Sequence, residues 1–401
     1  MRWYFVIIKG LLYFSELNTT PMHIKSKLPN VGTTIFTTMS ALAKEHNAIN
    51  LSQGFPDYDC APALRELANY SINSGFNQYA PMPGALQLRE RVAEIIAFSY
   101  GMDYHPDTEI TITAGATQAI YTALAAFIHK GDEVLVFEPA YDCYVPAIEV
   151  HGGIAVYSQL NPDDFSINWA DVRSKITAKT KAILINSPHN PSGTIISEHD
   201  LNELENIIAG TNILVISDEV YEHMVFDGQT HQSIAKSKTL AVQSILVSSF
   251  GKTVHTTGWK IGYVAAPKEI MAEFRKVHQF LVFAVNHPLQ LALADFLKDK
   301  TNYTELKDFY QKKRDYFLQL TRTSRLVPLK TNGTYFQLMS YATVSNEPDT
   351  DMAIRLTKEN KLATVPLSVF YYQKTDNRLL RFCFAKKEET LERAAEIICG
   401  L

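Results

Sequence analysis

Residues 109–139 read EITITAGATQAIYTALAAFIHKGDEVLVFEP, and this stretch indicates the class of fold. Its first five residues are rich in β-branched side chains, which favour a strand. Apolar residues then recur at helical spacing from Ala119 to Ile128, and Gly131 is typical of a helix end. EVLVFEP (133–139) is a second apolar run of strand length. The stretch therefore predicts a strand, a helix and a strand in succession.

Further apolar runs of strand length follow along the middle of the chain: GIAVYSQL (153–160), KAILINSP (181–188), ILVISDE (213–219), SILVSSF (244–250) and IGYVAAP (261–267). Short, fully apolar strands are expected where helices cover both faces of a sheet. SEHDLNELENIIAG (197–210) predicts a helix between two of them, with Ser197 and Asp200 at the spacing of a capping box. We therefore predict an α/β protein with a mostly parallel central sheet in a three-layer α/β/α arrangement.

The sequence pattern changes after about residue 285. Two long helical patterns (288–300 and 303–323) precede runs of strand character at 332–341, 362–368 and 379–385, and a helical pattern ends the chain. We expect a large domain at 51–285 and a smaller α+β domain at 286–401. Residues 22–50 are expected to form an N-terminal arm that packs with the smaller domain.

The composition narrows the class of protein. Of the 401 residues, 46% are hydrophobic and 20% are charged, which is ordinary for a globular protein. The net charge of −4 gives no basic field that would attract nucleic acid. The four cysteines form no CxxC pair and no zinc spacing. This usage fits a reducing, cytoplasmic compartment and predicts no metal site.

The first residues, MRWYFVIIKGLLYFSEL, need separate treatment because they are apolar and Arg2 resembles the basic region of a signal peptide. Lys9 interrupts the apolar run, and no small-residue cleavage site of the usual kind follows. The run is also too short to span a bilayer. We expect residues 1–21 to be a disordered or non-native extension, with the working protein starting near Met22 and making no membrane contact.

Three common motifs are absent from the sequence. It contains no GxGxxG, the fingerprint of dinucleotide binding, and no HExxH, the zinc-binding helix motif. GKT at 251–253 resembles the end of a P-loop, but Leu246 stands where that motif requires a glycine. The sequence therefore indicates neither a dinucleotide fingerprint nor a P-loop.

Polar residues follow several of the predicted strands, at the edge where ligands bind in α/β folds. Asp218 ends one strand, NSPHNPSG (186–193) follows another, and Lys252 lies directly behind a third. TAGATQA (113–119) leads into a helix whose N-terminus suits a phosphate. Each has an ordinary alternative. Asp218 could be a helix N-cap or half of a loop salt bridge, and 186–193 could be a plain turn. Lys252 could be a solvated loop lysine, and 113–119 a simple strand–helix connection.

Together, a phosphate cradle, a carboxylate, an amide and a lysine at successive strand exits suit pyridoxal phosphate. A lysine amine forms a Schiff base with the aldehyde of this cofactor. A carboxylate keeps the pyridine nitrogen protonated, so that the ring accepts electrons from a carbanion. We therefore predict a pyridoxal phosphate site.

Seven motifs occur in order along the chain: SKLPNVGTTIFTTMSALA (26–43), INLSQGFPDYD (49–59), NQYAPMPG (77–84), SDEVYEH (217–223), SSFGKTVHTTGWKIGY (248–263), PLSVFYY (366–372) and RFCFAKKEETL (381–391). With them, the chain from about Lys27 to its end resembles the class I aminotransferases of fold-type I. Within that family it resembles the methionine aminotransferase branch, which is related to kynurenine and glutamine aminotransferases. The resemblance implies a homodimer with shared active sites.

The resemblance also implies cofactor contacts. Lys252 would be the Schiff-base lysine and proton shuttle, Asp218 would pair with the pyridine nitrogen, and Tyr221 would hydrogen-bond to O3′ of the ring. Asn190 would make a second bond to O3′. The phosphate contacts would come from Gly115, Ala116, Thr117, Ser249, Lys260 and, across the dimer, Tyr79. Tyr141 would stack on the pyridine ring, with a core tyrosine as its alternative.

Substrate contacts are implied in the same way. Arg381 would clamp the substrate α-carboxylate bidentately, with an internal salt bridge as the alternative. Gly54 would let its backbone approach the same carboxylate, and Asn190 would also contact substrate. Phe36 would line the side-chain pocket, or be a plain core aromatic; Tyr79, Tyr141 and Phe283 are further aromatic candidates there.

The implied reaction is a ping-pong transamination between an amino acid and a 2-oxo acid. No second arginine aimed at an acidic side chain is evident, so methionine, phenylalanine, tyrosine, glutamine and kynurenine are the candidate amino donors. A β-lyase acting on cysteine S-conjugates is an alternative, because it would share every cofactor residue. An alternative of a different class is a non-catalytic pyridoxal phosphate carrier or scaffold, which would not need the Arg381 clamp.

Overall fold

The structure is a computed structural model, and it describes residues 22–401. The extension predicted for residues 1–21 therefore lies outside the described residues. Within 22–401, no helix combines the length and the apolar character needed to cross a membrane.

Strands and helices alternate through most of the described chain. The strands are β1 (Ile49–Asn50), β2 (Ile110–Thr113), β3 (Glu133–Glu138), β4 (Ile154–Gln159), β5 (Thr180–Asn186), β6 (Leu214–Asp218), β7 (Ser244–Ser249), β8 (Gly262–Ala265), β9 (Val327–Pro328), β10 (Phe336–Ser340), β11 (Leu362–Ala363), β12 (Val365–Pro366) and β13 (Leu379–Cys383). The helices are α1 (Ile35–Glu45), α2 (Pro62–Asn73), α3 (Leu86–Tyr100), α4 (Ala116–Phe127), α5 (Tyr144–Val150), α6 (Trp169–Lys175), α7 (Glu198–Ile208), α8 (Lys238–Ala241), α9 (Phe250–Thr253), α10 (Lys268–Leu281), α11 (His287–Phe296), α12 (Thr301–Thr304), α13 (Leu306–Leu320), α14 (Asp349–Lys358) and α15 (Glu388–Cys399).

A seven-stranded sheet forms the centre, in the order β2-β8-β7-β6-β5-β3-β4. The pairs from β7 through β6, β5 and β3 to β4 are parallel, whereas β8 runs antiparallel to both of its neighbours. The capping box predicted from the sequence begins α7, since Ser197 and Asp200 exchange hydrogen bonds there. The mostly parallel α/β sheet predicted from the apolar runs is confirmed.

Both faces of this sheet are covered, because alternate strand residues belong to two separate apolar clusters. Val215 of β6 packs in one cluster with side chains of α2, α3, α7 and α11. Its neighbour Ile216 packs in another with side chains of α4, α5 and α10. This two-sided burial explains why the strands read as continuous apolar runs rather than as alternating patterns.

Strand β4 differs from that expectation. GIAVYSQL was predicted to be covered on both faces, but β4 is the last strand of the sheet and is mostly half-buried. Ile154, at its start, is 49% exposed. An edge strand has a neighbour on one side only, so an apolar run does not by itself predict a central position.

The C-terminal region contains a second sheet, in the order β12-β13-β10-β9, with antiparallel pairs. Residues near the N-terminus join this region: β1 pairs with β11 in parallel, and α1 packs against α14. Helix α11 instead packs against α2 and α3. The domain boundary near residue 285 stays a prediction.

Candidate active site

A cavity of about 300 Å³ lies at the carboxyl ends of the parallel strands, in the range of small-ligand sites. Its lining contains every site residue predicted from the sequence except Tyr79 and the pocket candidate Phe283: Phe36, Gly54, Gly115, Ala116, Thr117, Tyr141, Asn190, Asp218, Tyr221, Ser249, Lys252, Lys260 and Arg381. Segments more than 300 residues apart in the chain thus meet at one site.

The strand register explains much of this convergence. Asn186 of β5 lies opposite Asp218 of β6, and Asp218 lies opposite Val247 of β7. The residues that follow these strands therefore leave the sheet side by side. The side chain of Asn186 joins two of the exits, because it donates to the Asp218 carbonyl at 2.8 Å and accepts from the Asn190 N–H at 2.8 Å.

Asp218 is a buried carboxyl at the floor of the cavity, with 4% of its surface exposed. The Tyr144 hydroxyl donates to it at 2.6 Å, and the Val220 N–H donates more weakly at 3.4 Å. Burial is the largest influence and raises the pKa of Asp218 to about 6. A turn rather than a helix follows Asp218, and the donors to its carboxyl are neutral, so within residues 22–401 Asp218 is neither a helix cap nor half of a salt bridge.

Lys252 sits on the short helix α9, directly after β7. Its Nζ donates to the Tyr335 hydroxyl at 2.7 Å and to the Gly54 carbonyl at 3.1 Å. Both partners are neutral, and burial lowers the pKa of Lys252 to about 8. A lysine held in this way is not a solvated loop lysine. A substantial fraction of its amine is neutral near physiological pH, as a nucleophile or base requires.

The N-terminus of α4 forms one end of the cavity. Gly115 precedes this helix with a φ of +80°, a conformation that glycine adopts without strain. A Cβ at Gly115 would lie 3.3 Å from the Lys260 amine, so the glycine leaves room for that amine beside the helix end. The start of α4, Ser249 and Lys260 all line the cavity, and helix N–H groups beside a hydroxyl and an amine suit an anion such as a phosphate.

Among residues 22–401, Arg381 is the largest fully buried side chain, with 1% of its surface exposed. One terminal nitrogen donates to the Asn190 side-chain oxygen at 2.7 Å and the other to the Ser52 carbonyl at 3.0 Å. Its Nε has no partner within residues 22–401. These acceptors are an amide and a carbonyl rather than a carboxylate, so the arginine is not half of an internal salt bridge and keeps a donor for a ligand.

Aromatic rings hold the Arg381 guanidinium in place. Its central carbon lies 3.9 Å from the ring centre of Phe336 and 5.2 Å from that of Phe36. Such stacking stabilises a buried guanidinium. Phe336 also restricts Gly54, where a Cβ would approach the ring to 2.7 Å. Only glycine therefore lets the loop at 52–54 lie this close to Arg381.

Tyr141 and Tyr221 both face the cavity rather than the core alone. Tyr141 follows β3, and its ring meets that of Tyr144 edge-on at 5.7 Å. Tyr221 is buried, and its ring meets that of Tyr335 edge-on at 5.1 Å. Burial raises the pKa of both phenols, so both remain protonated hydrogen-bond donors.

Tyr79 lies outside this cavity. It is 81% exposed, and its ring meets that of Phe283 edge-on at 5.2 Å. Phe283 is itself 51% exposed and does not line the cavity of this chain, so its assignment to the side-chain pocket stays a prediction. The rings of Tyr79 and Phe283 together form an exposed apolar patch.

Sequence reasoning missed several residues of the site, among them Phe55, Tyr144, Tyr335 and Phe336. Tyr144 follows Tyr141 by three residues at the start of α5, a spacing that could have drawn attention to it. Tyr335 directly precedes β10 and Phe336 begins it, and both look like ordinary core aromatics in the sequence. Their contacts with Lys252 and Arg381 join distant segments, and no local pattern records such contacts.

Comparisons with known proteins agree with this geometry. The family model for aminotransferase class I and II matches residues 46–398. A methionine aminotransferase of Escherichia coli is 48% identical over 95% of this chain and 99% of its own length. A kynurenine–oxoglutarate transaminase of Dictyostelium discoideum is 32% identical over 92% of this chain and 94% of its own.

The solved structure of an Escherichia coli protein described as having a methionine aminotransferase function superimposes with a TM-score of 0.93, at 48% identity. The match covers 95% of this chain and all of that one. Family match, relatives and fold agree over nearly the whole described chain. The chain therefore belongs to the aminotransferase class I and II family.

Proposed function

We propose that this aminotransferase uses pyridoxal phosphate to move an amino group from an apolar or aromatic amino acid, with methionine preferred, to a 2-oxo acid. One observation carries the proposal. A buried arginine, whose Nε has no partner among the described residues, faces the same cavity as a lysine of lowered pKa and a buried carboxyl. These are the groups that a substrate carboxylate, a proton transfer and a cationic ring nitrogen require.

The residues present fit pyridoxal phosphate. The α4 N-terminus at Gly115, Ala116 and Thr117, with Ser249 and Lys260, would hold the phosphate; a Cβ at Gly115 would crowd the Lys260 amine. Asp218 would face the ring nitrogen, Tyr221 and Asn190 would bond to O3′, and Tyr141 would stack on the ring. When bound, the cofactor supplies an electron sink beside the substrate Cα.

Lys252 has two proposed tasks. Its amine would hold the cofactor covalently in the resting enzyme, and once free it would move the proton at the substrate Cα. A base works best when its pKa lies near the working pH, and burial brings the pKa of Lys252 to about 8. Asp218 stays acidic enough, with a pKa of about 6, to be ionised at neutral pH.

Arg381 would bind the substrate α-carboxylate. Its planar guanidinium matches a carboxylate bidentately, and Phe336 keeps that plane fixed. Gly54 would bring its backbone to the same carboxylate, and Asn190 would bridge cofactor and Arg381 through the bond it already makes. This orientation would direct Cα toward Lys252 and leave the side chain near Phe36.

The preference for methionine rests on the side-chain end of the cavity. Phe36, Phe55 and Tyr141 line the cavity, and among the described residues Arg381 is the only arginine in its lining. An apolar, flexible side chain fits such a wall better than a second carboxylate does. The 48% identity to a methionine aminotransferase supports the same choice. Phenylalanine, tyrosine, glutamine and kynurenine remain the further candidate donors.

The protein is proposed to act as a homodimer in the cytoplasm. The exposed Tyr79 has no role in its own cavity and would reach the phosphate in the partner's site. No feature of the cavity favours the β-lyase alternative. A non-catalytic carrier would have no use for the Arg381 clamp.

Half-reactions test the proposal directly. Each amino acid is added alone to the purified holoenzyme, and the absorbance of the lysine-bound cofactor is followed. Methionine should abolish it fastest and release one equivalent of 2-oxo acid, and an added 2-oxo acid should restore it. D-Methionine, with the same side chain, serves as the control. Absorbance that no candidate donor changes would overturn the proposal; pyruvate and ammonia from a cysteine S-conjugate alone would favour the lyase.

A further inference from the structure

The amine of Lys252 contacts two oxygen atoms from different parts of the fold. Nζ donates to the Tyr335 hydroxyl oxygen at 2.7 Å and to the Gly54 carbonyl oxygen at 3.1 Å. The Tyr335 hydroxyl donates in turn to the same Gly54 carbonyl. Lys252, Tyr335 and Gly54 thus form a closed ring of three hydrogen bonds at the wall of the cavity.

This ring of bonds determines where the lone pair of a neutral Lys252 can point. A neutral primary amine has two N–H bonds and one lone pair, in a tetrahedral arrangement. Because the Tyr335 hydrogen is used on Gly54, the phenol oxygen can only accept from Lys252. With both N–H bonds taken by Tyr335 and Gly54, the lone pair is the position left for the cavity that Lys252 lines.

We propose that Tyr335 is a positioning residue for Lys252. Its hydroxyl, together with the Gly54 carbonyl, holds the free amine with its lone pair toward the substrate Cα whenever Lys252 is not bonded to the cofactor. The inference rests on the proposed function, because it assigns Tyr335 through the proton transfer proposed for Lys252.

Groups on several elements act on the same amine. Burial is the largest cause of the lowered pKa of Lys252, and Arg381 and Lys260 lower it further, whereas Cys383 and Asp218 raise it. The phenols of Tyr221 and Tyr335 complete its surroundings. A charged donor makes the stronger hydrogen bond, so the Tyr335 oxygen favours the ammonium form. Loss of this oxygen should therefore lower the pKa of Lys252.

The ring of Tyr335 has contacts that do not involve its hydroxyl. It packs against Phe336 at 4.9 Å, Tyr221 at 5.1 Å and Tyr310 at 5.6 Å between ring centres. Phenylalanine preserves these contacts, so Tyr335→Phe removes the hydroxyl alone. Tyr341→Phe is the matched control, since Tyr341 is also fully buried and donates its hydroxyl to the Glu347 carbonyl at 2.8 Å, outside the cavity.

The test compares full-length Tyr335→Phe holoenzyme with wild type. With methionine, kcat should fall at least about tenfold, and KM should change less than about twofold. The kinetic isotope effect on kcat with α-deuterated methionine should rise, because proton transfer becomes slower than the other steps. In the full chain freed of cofactor, the pH midpoint for acetylation of Lys252, read by peptide mass spectrometry, should move to lower pH. Tyr341→Phe should change none of these.

If Tyr335→Phe does not fold, Tyr335→Gln and Tyr335→Met form a second pair of similar size, of which only glutamine keeps an oxygen acceptor. The glutamine variant should then retain the higher kcat and the smaller isotope effect. An active wild type with unchanged kcat, isotope effect and midpoint in Tyr335→Phe overturns this inference alone. Equal losses in Tyr341→Phe overturn it as well. A wild type that transaminates no donor overturns the proposed function with it.

Discussion

Replacement of Arg381 by lysine probes the substrate clamp without removing its charge. The guanidinium is fixed by Asn190 at 2.7 Å, by Ser52 at 3.0 Å and by the ring of Phe336 at 3.9 Å, and its Nε has no partner in the described part of the chain. Arg381→Lys keeps one cation but loses the planar fork. A carboxylate held by two charge-assisted bonds would then be held by one.

The expected drop in kcat/KM follows from the loss of one of these two hydrogen bonds. One charge-assisted hydrogen bond contributes about 1.5–3 kcal/mol. Its loss in the transition state corresponds to roughly a 10- to 150-fold drop in kcat/KM. The drop should be similar for methionine and phenylalanine, because both present the same α-carboxylate. Either Asn190 or Ser52 would also lose its donor, so the melting temperature should fall.

The assay is kcat/KM for both donors, together with binding of pyridoxal phosphate, which should change little. Arg314→Lys is the matched control. Arg314 is also buried, but it pairs with Asp227 at 2.7 Å away from the cavity. This control should lower the melting temperature and leave kcat/KM unchanged. If one donor loses its activity while the other keeps it, Arg381 reads the side chain and the proposed orientation of substrate is inverted.

Three further predictions follow from the site. Lys252→Ala should lower kcat at least about a thousandfold, because Lys252 serves as both nucleophile and base. Borohydride treatment of this variant should leave no cofactor mass on the chain. Near-native turnover would contradict the assignment of Lys252. The pKa of Asp218 is raised from 3.8 to about 6, so the stability that its protonated form contributes is full below pH 3.8 and lost as pH rises through about 6. Cofactor-free Asp218→Asn should therefore match wild type near pH 4 and melt at a higher temperature above pH 6; an unchanged difference across this range would refute the assignment. Deletion of residues 1–21 should preserve folding and activity, and a truncated protein that precipitates or loses its dimer would show that the extension is structural.

Much of the fold could be predicted because strands and helices have local sequence patterns. Apolar runs such as 181–188 and 213–219 predict buried strands, and both lie in the central sheet. The position of a strand within the sheet is not local: β4 reads as a covered strand and lies at the edge. Its neighbours are set by the path of the whole chain, so its exposure did not follow from its own residues.

Some residues of the site could also be predicted from local patterns, and others could not. Asp218, Lys252 and the 113–119 segment follow predicted strands, and parallel strands bring their carboxyl ends to one edge, so these residues could be placed together in advance. Phe36 and Gly54 were assigned by resemblance to a family rather than by any pattern of their own. Phe283 was offered for the pocket on its aromatic character, and the structure has it at the surface.

The sequence by itself determined the alternation of strands and helices, the strand exits that carry the polar residues, and the motifs of the family. Those features depend on residue type and short spacing, which a single segment contains. Only the tertiary structure decided that Tyr335 contacts Lys252, that Phe336 stacks on Arg381, and that the Arg381 Nε is buried with no partner from residues 22–401. These contacts join segments that are far apart in the chain. They form only when the two sheets pack around one cavity.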